Sequence, residues 1–131
     1  MPFEAALLGI GVLTLATILF EIAYTYATQG FGFGFTANRP AVEKSPFGKR
    51  VETIYRNQVE SVTYIAPVLI AAMVTGVEGA GAMRAAMIMV VGRFAFTAIY
   101  YTGVPFLRVP PFTITALATL YLAVKTAQVL L

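Results

Sequence analysis

Among its 131 residues the chain contains no cysteine and no histidine. Without cysteine there is no disulfide framework and no protein thiol to act as a nucleophile. With histidine missing too, a zinc or haem centre of the usual ligand set is not expected, and no metal is assigned. Charge is scarce: nine Lys and Arg and six Asp and Glu make up 11% of the chain, with a net charge of +3. So sparse a set of cations gives no reason to expect a nucleic-acid partner. What abounds is apolar, at 59% of residues. A soluble domain of this length keeps too much exposed surface to hide that fraction, so lipid must cover part of it.

Four apolar runs stand out, at roughly 3–27, 53–76, 80–102 and 109–131. Each approaches the ~20 residues a helix needs to cross a bilayer. The runs are continuous rather than alternating, which argues against membrane strands. The expected fold is therefore an all-α, four-transmembrane-helix bundle forming a single domain over 1–131, with no internal repeat. The first run opens Met1-Pro2-Phe3-Glu4. It lacks the basic start of a secretory signal and is about twice as long as one, so it reads as a retained helix.

Between the runs, "GFGFGFTANRP" at residues 30–40 suits an interfacial segment, with rings toward lipid and glycines permitting tight backbone. "EKSPFGKR" supplies turn residues before the second helix, and Pro110-Pro111 suit the start of the fourth. The first connection carries Arg39, Lys44, Lys49 and Arg50 against Glu43, and the third adds Arg108. The opposite side offers Glu4, Glu78 and Arg84. The positive-inside rule then places the basic loops in the cytoplasm and both termini outside, as in a bacterial inner membrane.

Ionisable groups inside a span cost about 2.5–3.5 kcal/mol each on insertion scales, and they usually face the bundle interior. Here they cluster. Arg50, Thr53, Asn57, Glu60 and Tyr64 fall on one stripe at three- and four-residue spacing. Arg93, Phe96, Thr97 and Tyr100 share a face of the third run, and the first contributes Glu21 and Tyr24. Two readings follow. In one, Arg56 pairs with Glu60 and Arg93 with Glu21, fixing helix register. In the other, the set lines a hydrophilic pocket between helices, open toward the cytoplasm and suited to a small ligand bearing carboxylates. Arg84 reads as an interfacial anchor, and Lys125 can extend its ammonium group to the interface.

"RVETIYRNQVESVTYIAPVLIAA" followed by "GRFAFTAIYYTGVPFLR" resembles the membrane-associated proteins in eicosanoid and glutathione metabolism, the MAPEG family, and within it the microsomal glutathione transferases. The likeness rests on Arg-(x)6-Asn-x-x-Glu in the second run and Arg-(x)6-Tyr before "PFLR". It implies a homotrimer of four-helix subunits, with glutathione as co-substrate between neighbours. By position it implies that Arg50, Asn57, Glu60, Arg93 and Tyr100 bind glutathione and that Arg108 stabilises its thiolate. The implied activity is a glutathione-dependent transferase or peroxidase acting on lipophilic electrophiles that arrive from the membrane lipid. The pattern departs from that of catalytic relatives at Thr53, Ser61 and Phe96, and "GFGFGF" replaces basic residues near the end of the first helix. These departures support the alternative: a non-catalytic lipid-binding or scaffold subunit serving a partner membrane protein.

Overall fold

A computed structural model describes residues 1–30 and 45–131. The rest of the Gly-Phe segment, together with Arg39, Glu43 and Lys44, lies outside the described residues. Four helices follow in order: α1 Phe3–Gln29, α2 Pro46–Thr75, α3 Ala80–Thr102 and α4 Val109–Leu130. All four are long and apolar enough to cross a membrane, and no strand occurs among the described residues. A helix satisfies its backbone polar groups internally, which is what hydrocarbon demands. Threonines in the spans add nothing unsatisfied when they bond back to their own helix. Thr115, Thr119 and Thr126 donate to the carbonyls of Pro111, Thr115 and Leu122, each at 2.8 Å.

The second helix starts seven residues earlier than the apolar run at Thr53. Ser45 is its N-cap, accepting from the Gly48 amide at 3.1 Å, and Pro46 occupies the first helical position. "SPFGKR" is therefore a helix start rather than a turn, because serine and proline satisfy and pre-shape the first turn. At about 45 Å the 30-residue helix outruns the ~30 Å hydrocarbon layer, so its charged first turns stand beyond the lipid. Ser45→Ala is expected to cost about 1 kcal/mol, read as an earlier midpoint in a denaturing-detergent titration. The other end closes with Gly76 in the left-handed region (φ 72°). Its amide bonds to Met73 at 3.3 Å, and the Val77 amide bonds to Ala72 at 3.1 Å, which folds buried Val77 back under the helix.

α1 packs on α2 and α3, α4 packs on the same two, and α1 and α4 do not meet among the described residues. The bundle is thus a rhombus with α2 and α3 across its short diagonal. Half of the most apolar stretch of α3 is buried, against roughly a quarter in each other helix. Small residues at Ala82, Ala85 and Ala86 allow that close approach, around a core of Ile10, Ile65, Leu69, Met89 and Leu122. Gly92 packs so tightly on Thr115 of α4 that a Cβ there would displace it. The outer faces remain apolar, with Leu8, Leu15 and Leu19 on α1 and Leu117 and Leu120 on α4 exposed. Lipid or another subunit must cover them.

Candidate functional site

The inward stripe of α2 is Val51, Ile54, Gln58, Ser61, Ile65, Leu69 and Ala72, and one polar amide interrupts it. Gln58 is fully buried, and opposite it on α3 lies Arg93, also 0% exposed. Arg93 Nε and Nη2 donate to Gln58 Oε1 at 3.0 and 2.8 Å, and Nη2 reaches Asn57 Oδ1 at 3.5 Å. Gln58 Nε2 donates to Thr14 Oγ1 at 3.0 Å, and Thr14 donates to the Ile10 carbonyl at 2.7 Å. One relay of hydrogen bonds therefore crosses three helices at one depth. Such a charge is tolerable in an apolar interior only where polar partners replace its water.

Neither ion pair expected from the sequence forms. Arg56 reaches Glu52 at 2.7 Å instead of Glu60, because helical side chains lean toward the N-terminus. Glu21 accepts from Thr25 at 3.2 Å. It lies seven residues beyond Thr14, about 10 Å further along α1 than the Arg93 layer. Among the described residues Arg93 has no carboxylate partner, and its Nη1 is buried without an acceptor. Thr97 Oγ1, one turn on, is likewise buried and unpartnered.

From Arg93 a ladder of rings climbs the same face of α3. The Arg93 guanidinium carbon lies 4.6 Å from the Phe96 ring centre, and Phe96 meets Tyr100 edge to face at 5.6 Å. Arg108 closes the ladder, 4.3 Å above the Tyr100 ring. Its position at the N-cap of α4 follows a strained corner. Phe106 sits in the left-handed region at φ 67°, and its carbonyl accepts from the Val109 amide at 3.1 Å. Arg108 is half-buried, so its charge is shielded from water on one side by the ring.

Arg50 occupies a separate position at the same end. Its buried Nε has no partner, and its guanidinium crowds Gly103, where a Cβ would come within 3.0 Å of the guanidinium carbon. Gly103 is left-handed (φ 75°), so glycine meets both demands. Phe47 lies 5.4 Å from the Arg50 guanidinium and joins Phe20, Tyr24 and Tyr101 in a collar. That collar ties the end of α1 and the start of α2 to the end of α3.

Of the residues singled out by sequence, Asn57 with Arg93 and Tyr100 with Arg108 are brought together. Arg50 joins neither pair and packs instead on Gly103 at the end of α3. Glu60 is exposed on the outer face of α2, as are Thr53 and Tyr64, so the stripe divides: Arg50 and Asn57 are half-buried toward α3, and the other three face outward. Arg93 itself is packed among Asn57, Gln58 and Phe96. Gln58 was missed. Its signal is a lone amide within an apolar three- and four-residue repeat. Ser61 turns inward to donate to the Gln58 carbonyl at 2.7 Å.

Two arginines without acidic partners among the described residues, Arg50 and Arg108, thus stand at the end where α2 begins and α3 stops, and a third, Arg93, lies about 13 Å deeper along α3. That arrangement favours an anionic ligand. The model of the MAPEG family matches residues 5–128 of the chain. No curated protein matches it, and no solved structure does.

Proposed function

The chain belongs to the MAPEG family, and on that footing we propose that it is a glutathione-dependent transferase or peroxidase acting on lipophilic electrophiles. The observation that carries the reading is the buried Arg93 guanidinium, which has no counter-charge among the described residues and one nitrogen without an acceptor. Arg93 and Arg50 would hold the two carboxylates of the tripeptide, Asn57 and Tyr100 its amide groups, and Glu60 its amine. A bound glutathione supplies a thiol whose thiolate is the nucleophile. Arg108, half-buried over Tyr100, would stabilise that anion.

Glu60, exposed on the outer face of α2, would serve one ligand with Arg93 only where a neighbour completes the site. Exposed Glu60 and Tyr64 on a membrane-spanning helix support such a neighbour, and a homotrimer is the assembly proposed. The basic end carrying Lys49, Arg50 and Arg108 would face the cytoplasm. The whole chain would act as one domain.

A second reading has its own support. Gln58 already takes two of the Arg93 donors, Ser61 is turned to the Gln58 carbonyl, and Phe96 stacks on Arg93. An arginine so far engaged by its own chain suits a non-catalytic subunit that holds lipid or a partner membrane protein. Calorimetry of glutathione with the detergent-purified protein separates the two. The transferase reading expects binding at millimolar affinity or tighter, with ultraviolet absorbance of the thiolate that Arg108→Ala removes. Absence of binding would leave the second reading.

A further inference from the structure

On the side of the rhombus opposite α1 and α2, the seam between α3 and α4 opens into a groove. One lobe, of about 370 Å³, is walled by Ala85, Ile88, Ile114, Leu117 and Tyr121, with Arg84 at its rim. A second, of about 280 Å³, shares Ile88 and Ile114 and continues past Val91 to Ala95 and Pro111. The same two isoleucines line both lobes, so the two adjoin along the seam. Gly81 to Ala95 spans about 21 Å of α3, more than the ~15 Å half-thickness of the hydrocarbon layer.

Charge distinguishes this seam from an ordinary lipid-facing surface. Arg84 stands at its rim on the first turns of α3. Lys125 of α4 lies one turn past Tyr121, its ammonium 5.8 Å from that ring. The two cations come from the two helices that form the walls, and they flank the same end of the groove. Neither has an acidic partner among the described residues. This end is opposite to that of Arg50 and Arg108, so the ligand site proposed above does not use it. An apolar slot with a two-cation mouth at the membrane surface matches an acyl chain carrying an anionic head.

We infer that the α3–α4 groove is a site for an anionic phospholipid. One acyl chain lies along Ile88 and Ile114, and the phosphate sits between Arg84 and Lys125. Tyr121 forms the collar between head and chain, a usual place for an amphipathic ring at the interface.

The chain contains no tryptophan, so Leu117→Trp places a single reporter on the groove wall. The protein is reconstituted in phosphatidylcholine vesicles containing rising fractions of brominated phosphatidylglycerol or, separately, brominated phosphatidylcholine. The expected result is half-maximal quenching at an about tenfold lower fraction of the anionic lipid. That preference should vanish in Leu117→Trp with Arg84→Gln and Lys125→Gln, whose exposed positions leave folding intact. A reporter on the far side, Leu15→Trp, should show no preference. Equal quenching by the two lipids would overturn the inference. So would a preference that survives the double substitution, or one that Leu15→Trp shares, since the net positive charge alone would then account for it.

Discussion

Gln58→Leu is expected to destabilise the folded bundle by about 3 kcal/mol, the largest loss from any single side chain outside the apolar core. Leucine fills nearly the same volume, so the loss does not arise from a cavity. It arises because Arg93 Nε would lose its acceptor and Nη2 would keep only the long 3.5 Å bond to Asn57, beside an Nη1 that already has no acceptor. Hydrogen bonds to a charged group contribute about 1.5–3 kcal/mol, and leaving the charge unpaired costs more than the bond was worth. Thr14 Oγ1 would lose its donor as well. The double variant Gln58→Leu/Arg93→Met removes charge and acceptor together and should be more stable than Gln58→Leu alone. Equilibrium unfolding in mixed detergent micelles measures both. A Gln58→Leu protein as stable as the wild type would show that the relay bears no weight.

For Arg108→Ala, conjugation of chlorodinitrobenzene to glutathione is expected to fall at least about 100-fold in kcat/KM, the size of effect seen when one group stabilising a developing anion is removed. The substitution should leave the assembly intact, because Arg108 caps α4 without a side-chain hydrogen bond and its one described aromatic contact is the face of Tyr100. Size-exclusion behaviour and helicity should therefore match the wild type. Tyr100→Phe keeps the ring beneath Arg108 and should retain the thiolate absorbance while weakening glutathione binding. Turnover unchanged in Arg108→Ala would remove Arg108 from the chemistry.

The third span agrees with α3 at both ends, 80–102, because glycines at 79 and 103 bound the apolar run and left-handed Gly103 ends the helix. The second was placed seven residues short. Hydropathy reports where lipid begins, whereas a helix begins at its cap, and Ser45-Pro46 sits among charged residues outside the hydrocarbon. Arg93 and Asn57 were legible as expensive groups inside an apolar run. Their pairing was not: chemistry alone favoured Glu21 as the partner of Arg93, and only the depth and rotation of each helix bring Gln58 there instead.

Composition and run length determined by themselves that this chain makes four membrane-length helices, because apolar surface on that scale has no other solvent. Two motifs, one around Asn57 and one around Arg93, were enough to indicate the family. Only the tertiary structure decided which face of α2 turns inward. Burying Val51, Ile54, Ile65 and Leu69 against α1 and α3 carries Gln58 to Arg93 and leaves Glu60 outside. Side chains three and four apart ride on one helix face, so packing that face selects its polar members together, whatever their charge would have preferred.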